Sequence, residues 1–216
     1  MLLLQEQQKK FFRVYMDKKT LIIFTGGPGT GKSKTAEKFM DFLADDQIVK
    51  ISYDEIKEKN WDRFGFDDQG EKERLDHWSL EEFYLTLGKR MWEEKTIVVE
   101  YPFCQKHKSG FSELLTKYGY CAVTVCLYTD YRTEYERSIL RGSNTSRHPG
   151  HLLSTYHKET FHEEILSKME QPSYEEFVSR IAAKDYNIAL GESILLDVTD
   201  FSRIDYESVF TRISGL

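Results

Sequence analysis

The sequence predicts a three-layer α/β fold, a mainly parallel sheet with helices on both faces, and three observations carry that prediction. Short apolar runs alternate with helix-like segments from residue 20 onward, the pattern of strands joined by right-handed crossovers. The run Leu21-Ile22-Ile23-Phe24 feeds a glycine-rich octapeptide and then a helix-like stretch from Lys34 to Leu43. Finally, the chain has 216 residues, 40% of them hydrophobic, with no repeat and no linker rich in Pro, Gly or Ser. That length suits one domain over residues 1–216 with a proper core.

The elements follow in order. Residues 5 to 17 carry no strong breaker and predict a short leading helix. After the glycine loop, Ala36, Phe39, Met40 and Leu43 recur at helical spacing. Ile48 to Tyr53 reads as a strand that ends at Asp54. Residues 55–95 are polar and aromatic and predict an insertion on the acceptor side, with a loop at Asp67-Asp68-Gln69-Gly70. Ser79-Leu80-Glu81-Glu82 has the pattern of a capped helix start, running to Glu94. Thr96 to Tyr101 is a strand stopped by Pro102. A helix near 110–118, a strand over Ala122 to Tyr128 and a helix opened by Thr129-Asp130 follow. Residues 141–150 form a basic, breaker-rich loop, so that 137–151 reads as a lid. Helical stretches over Leu152 to Met169 and Tyr174 to Ala183, a strand over Ser193 to Val198 and a helix from Asp205 to Ile213 close the chain.

Composition narrows the function classes. A formal net charge of −6 disfavours broad electrostatic binding to nucleic acid or anionic membranes. The apolar Met1-Leu2-Leu3-Leu4 is stopped by Gln5 to Lys10, short of a signal peptide, and no segment approaches membrane length. Cys104, Cys121 and Cys126 have no metal-like spacing, and two of them lie in a strand-like run. They read as buried thiols in a reducing compartment, which makes the cytoplasm the expected location.

Gly26-Gly27-Pro28-Gly29-Thr30-Gly31-Lys32-Ser33 matches G-x-x-x-x-G-K-[ST] in full, and its strand and helix flanks are those of a phosphate-binding P-loop. Glycines let the backbone turn its N–H groups toward phosphate oxygens at a helix N-terminus. Lys32 then reaches the β- and γ-phosphates, the Ser33 hydroxyl ligates Mg²⁺, and Pro28, Thr30 and Thr35 complete the nucleotide contacts. ATP and Mg²⁺ are the expected partners of this loop.

Ligands of open parallel sheets collect beyond the carboxyl ends of the strands. Asp54, at one such end, is a candidate base for an attacking hydroxyl, or else an N-cap for the helix after it. Glu100, at another, could hold Mg²⁺ through a water or hydrogen-bond a substrate. Arg137 and Arg141 lie four apart before the basic loop, and Arg147 lies within it. Guanidinium groups on a mobile loop suit a transferring phosphoryl group, although a solvated helix face with Arg137 paired to Glu134 is the alternative. His148, His151, His157 and His162 lack the spacing of a zinc site. Trp61, Phe64, Phe66, Trp78, Phe83 and Tyr84 either line an acceptor pocket or pack the insertion.

On the P-loop, Asp54, the arginine set and Asp197-Val198-Thr199-Asp200, the chain resembles the P-loop kinases of small molecules. Within them it looks closest to the zeta-toxin-like, chloramphenicol-phosphotransferase-like and polynucleotide-kinase-like branch of P-loop NTPases. The resemblance implies a five-stranded sheet of order 2-3-1-4-5, Asp54 as base, the arginines as lid, and 197–200 bordering the adenine. Glu100 stands where many relatives have Asp, and residues 55–95 match no known acceptor pocket. The expected activity is transfer of the ATP γ-phosphoryl group to a hydroxyl of a small-molecule acceptor. A regulatory ATPase without such an acceptor is the alternative, and a nucleoside or polynucleotide-end kinase is disfavoured by the net charge.

Overall fold

The computed structural model describes residues 19–44, 48–142, 147–163 and 171–215. The helix expected over 5–17, part of the basic loop and the end of the stretch expected over 152–169 lie outside these residues.

Five strands form one parallel sheet in the order β2-β3-β1-β4-β5, as the resemblance implies. They are β1 (Thr20–Gly26), β2 (Ile48–Ser52), β3 (Thr96–Glu100), β4 (Cys121–Tyr128) and β5 (Glu192–Asp197). β1 is central and wholly buried. Its side chains alternate between two cores as the two-residue period of a strand requires. Leu21 and Ile23 join Phe83, Leu87, Phe103 and Phe111 on one face. Ile22 and Phe24 join Phe39, Val125, Phe210 and Ile213 on the other. The helices covering these faces are α1 (Lys32–Leu43), α2 (Tyr53–Phe64), α3 (Gln69–Trp92), α4 (Lys108–Tyr118), α5 (Tyr131–Gly142), α6 (Tyr174–Ala182) and α7 (Tyr206–Ser214). Among the described residues no helix is long and apolar enough to cross a membrane.

Three expectations are corrected. α3 starts at Gln69, not at Ser79, and it is Asp68 that caps it by accepting from Glu71 N at 2.8 Å. Ser79 is buried within a long helix and Glu82 lies nearly one turn further along it. Asn60 of α2 donates to Ser79 Oγ at 3.0 Å and to Glu82 at 2.9 Å, and Ser79 donates back to Leu75 O. The capping pattern is thus used to bind two helices together. Residues 152–163 are not a helix. Short 3₁₀ turns at Pro149–His151 and Lys158–Thr160 flank Tyr156, whose backbone N–H and C=O both pair with Phe66. The antiparallel bridge to Phe66 takes the hydrogen bonds a helix would use. Cys126 is buried, but Cys121 is exposed because it opens β4 before the covered part of the strand begins.

Candidate active site

The register of the sheet assembles the site. β3 pairs with β1 and with β2 so that Glu100 lies beside both Phe24 and Ser52. Its carboxylate is buried and accepts from Ser33 Oγ at 3.0 Å and from Ser52 Oγ at 3.1 Å. The hydroxyl of the P-loop and the acid at the strand end therefore converge on one spot. This donor set fits Mg²⁺, which takes few protein oxygens and completes its shell with water and phosphate. Among the described residues no group of three or more His, Cys, Asp or Glu is arranged as an all-protein metal cage.

The P-loop is closed on itself. Gly29 and Gly31 have left-handed φ values of 79° and 80°, a conformation that glycine adopts without strain. Thr30 Oγ1 and Lys32 Nζ both donate to Gly27 O at 2.8 Å. Thr35 is buried in the first turn of α1 and donates its N–H to Gly31 O. Lys32 is buried, and that burial brings its ammonium down to about 8 against the opposing pull of Glu100 and Asp54. Arg141 and Glu134 also act on it.

Asp54 sits in the first turn of α2, but it is not the cap. Ser52 takes that role by accepting from Glu55 N, so the Asp54 carboxylate is left to face the cleft. It lies 3.6 Å from Lys57 Nζ and within electrostatic reach of Lys32 and Arg147. Arg147 is partly buried, and burial, with Arg141 and Arg180 nearby, disfavours its charge while Asp54 and Glu58 support it. Its Nε has no hydrogen-bond partner among the described residues. The structure thus brings Lys32, Ser33, Asp54, Glu100, Arg141 and Arg147 to one end of the sheet.

Arg137 stands apart. It pairs with no acid at Glu134; its guanidinium donates to Val198 O at 2.7 Å and Thr199 O at 2.8 Å and lies 4.2 Å from the Phe201 ring centre. Phe201 in turn lies against Gly31, so Arg137 fastens the turn after β5 to the rim of the P-loop. The aromatic residues of the insertion divide. Trp61, Phe66 and Phe83 are fully buried packing, whereas Phe64 and Trp78 are exposed, their rings tilted against each other with centres 5.0 Å apart.

Two charged residues of the site escape sequence reasoning. Lys57 is almost wholly buried, with its ammonium 3.5 Å from Tyr101 OH, 3.8 Å from Asp76 and 4.8 Å from the Trp61 ring centre. Tyr53, Lys57 and Trp61 are spaced four apart on α2, an aromatic–cation–aromatic signal that could have pointed to it. Glu134 is buried in the first turn of α5, and its Oε1 lies where a Cβ on Gly27 would be, 1.5 Å from that position. That oxygen has no hydrogen-bond partner among the described residues. Nothing in the local sequence marks this contact.

Burial pushes the Glu134 carboxyl from 4.5 up to about 7, with Lys32 opposing. Between these values the folded protein holds a proton that the unfolded chain has lost. Stability from this group is therefore complete below pH 4.5 and is lost as pH rises through 7, by about 2–3 kcal/mol. Glu134→Gln is expected to flatten the pH dependence, so that its stability relative to wild type rises by about that amount between pH 5 and pH 8. Urea unfolding at both pH values checks this; an equal offset at the two would exclude the buried carboxyl as the source.

Among the solved structures that this chain resembles are proteins described as kinases. A protein from Chloroflexus aurantiacus, provisionally described as a kinase, superimposes with a TM-score of 0.72 at 20% identity, over 90% of this chain and 96% of that one. A gluconokinase from Sinorhizobium meliloti does so with a TM-score of 0.50 at 14% identity, over 90% and 93%. The chain shares the α/β fold of these two proteins, with its five-stranded parallel sheet in the order 2-3-1-4-5. No protein-family model matches the chain, and no curated protein matches its sequence.

Proposed function

We propose that this protein is an ATP- and Mg²⁺-dependent kinase that transfers the γ-phosphoryl group to a hydroxyl of a small-molecule acceptor. The observation that carries the reading is the convergence of the P-loop, the Ser33–Glu100 pair and Asp54 at the carboxyl end of one parallel sheet. Lys32 and the P-loop glycines hold the phosphates of the donor; Ser33 and Glu100 would hold Mg²⁺, which would supply positive charge against the phosphates. Arg137 orders the 198–201 turn, which borders the base. Asp54 accepts the proton of the acceptor hydroxyl as the phosphoryl group leaves ADP. Arg141 and Arg147 stabilise the charge on that group and help to exclude water.

The acceptor enters at the N-terminal end of α2, where Lys57 lies 3.6 Å from Asp54 and the Tyr101 hydroxyl lies 3.5 Å from the Lys57 ammonium. Polar groups gathered beside that carboxylate favour a kinase over a regulatory ATPase, which would present a flat apolar face there. The test is a screen of hydroxylated metabolites for acceptor-dependent ADP release, with mass spectrometry of the product. Gluconate and other polyhydroxy acids come first, since one structural neighbour is a gluconokinase and Lys57 and Arg147 offer cations. One acceptor is expected to raise ADP release about a hundredfold or more over hydrolysis, the scale of a positioned base. ADP release that no acceptor changes, but that a protein partner accelerates, would instead establish the regulatory ATPase.

A further inference from the structure

The string Arg147-His148-Pro149-Gly150-His151 holds one residue with a role in the reading above and two histidines without one. On α2, Asp54, Glu58 and Asp62 recur every four residues and so lie along one face. His151 Nε2 lies 2.7 Å from Glu58 Oε1, and His148 Nε2 lies 3.0 Å from Asp62 Oδ1. Gly150 N donates to His148 Nδ1 at 3.0 Å. That nitrogen is therefore the acceptor, and the proton sits on Nε2, where it is donated to Asp62. Asp62 also accepts from Tyr156 OH at 2.6 Å and from Lys158 at 2.5 Å.

Trp61 fills the space inside this clasp. The two imidazoles lie 5.7 and 4.9 Å from it, ring centre to ring centre. Gly150 packs so closely that a Cβ there would fall 2.3 Å from the indole. Pro149 fixes φ between the two grips. The residue immediately before the clasp is Arg147, which lies within electrostatic reach of Asp54 and Glu58 but is repelled by Arg141 and Arg180. A free arginine side chain samples many rotamers, which ordering it gives up. Holding it beside another cation before an anion arrives needs a restraint outside the pair.

We propose that His148 and His151 are positioning residues that grip Asp62 and Glu58 across Trp61 and thereby hold the chain at Arg147 so that its guanidinium stays at the Asp54 end of α2. The proposal rests on the reading of Arg147 as a phosphoryl-facing group. It makes α2 and residues 147–158 one unit, so that the wall of the acceptor site and its arginine are set together.

The test compares binding of MgADP with binding of MgADP plus aluminium fluoride, a planar mimic of the phosphoryl group, by titration calorimetry. Wild type is expected to bind the fluoride complex more tightly. Arg147→Ala and the pair His148→Ala/His151→Ala should each weaken the fluoride complex by about tenfold to a hundredfold, the cost of misplacing a group by about 1 Å. MgADP alone should bind within about twofold of wild type. The triple variant should lose no more than Arg147→Ala does, because a positioning residue acts only through the group it holds. His148→Asn/His151→Gln, which keeps a donor at each place, should recover much of the loss. If the alanine pair fails to fold, His151→Ala alone is read in the same way, with Asp62 still bound by His148, Tyr156 and Lys158. A folded histidine variant with wild-type affinity for the fluoride complex, or losses that add to those of Arg147→Ala, would overturn the proposal. A wild-type protein that does not distinguish the two complexes would overturn the phosphoryl-transfer reading itself, and the proposal with it.

Discussion

Lys32→Ala is expected to leave the protein folded and to lower phosphoryl transfer by about 10²–10³-fold or more, the cost of removing one preorganised donor from a transferring group. The fold tolerates the change because the terms oppose each other. The variant loses the bond from Lys32 Nζ to Gly27 O, worth about 1 kcal/mol, but it is also freed from burying an ammonium. Thr30 Oγ1 still donates to the same carbonyl. The pH dependence separates this lysine from other causes of inactivity. Burial brings Lys32 down from 10.5 to about 8, so above pH 8 the empty site loses its charge. Affinity for MgATP should fall as pH rises past 8 in wild type and should not do so in Lys32→Ala. Circular dichroism, nucleotide titration and turnover with the acceptor returned by the screen supply the measurements. Transfer within tenfold of wild type would remove Lys32 from the donor half of the reaction.

The conformation of the 26–33 loop was legible because everything it needs is local. An apolar run, an octapeptide and a helix lie consecutively in the chain, and only one backbone path suits glycines at those places. The partner of Ser33 was not legible in that way. Glu100 could be placed at the end of a strand, but its hydrogen bonds to Ser33 and Ser52 follow from the pairing of β3 with both neighbours. Sheet register is a property of three distant segments. The same reason hides Glu134, whose contact is with Gly27. The failures on helices have a different origin. Ser79 and Glu82 carry the pattern of a cap, yet the pattern states only that two polar groups lie on one face. In the folded chain Asn60 meets both of them, and Asp68 starts the helix a decade of residues earlier. Residues 152–163 have helical periodicity in sequence, but the bridge to Phe66 and the hub at Asp62 offer tertiary bonds that local propensity does not weigh.

Asp54→Asn is expected to keep nucleotide binding and to lose transfer by about 10²–10⁴-fold, the range that a positioned base contributes. The substitution is isosteric, and because Ser52 rather than Asp54 caps α2, the helix start survives it. Two stabilising contributions are lost. One is the acid in the first turn of a helix, worth about 0.3–1 kcal/mol. The other is one of the two carboxylates near Lys57, the second being Asp76 at 3.8 Å. The buried ammonium keeps a counter-ion, so a loss of about 1–2 kcal/mol in unfolding free energy bounds the structural effect. Asp54 has a competing role, since Lys57 lies 3.6 Å from it and Arg147 within electrostatic reach, and its charge could serve only to hold them. The two roles part in the kinetics. A base acts on the transferred proton, so its loss lowers kcat, while a holder of cations acts on acceptor and phosphate binding, so its loss raises KM. Asp54→Glu sharpens the distinction, because it keeps the charge near Lys57 but moves the oxygens by a methylene. A base displaced in this way still loses most of kcat, whereas a charge-holding role would be largely restored. Near-normal kcat in Asp54→Asn with a raised KM would assign Asp54 to binding and leave the proton of the acceptor to another group of the cleft.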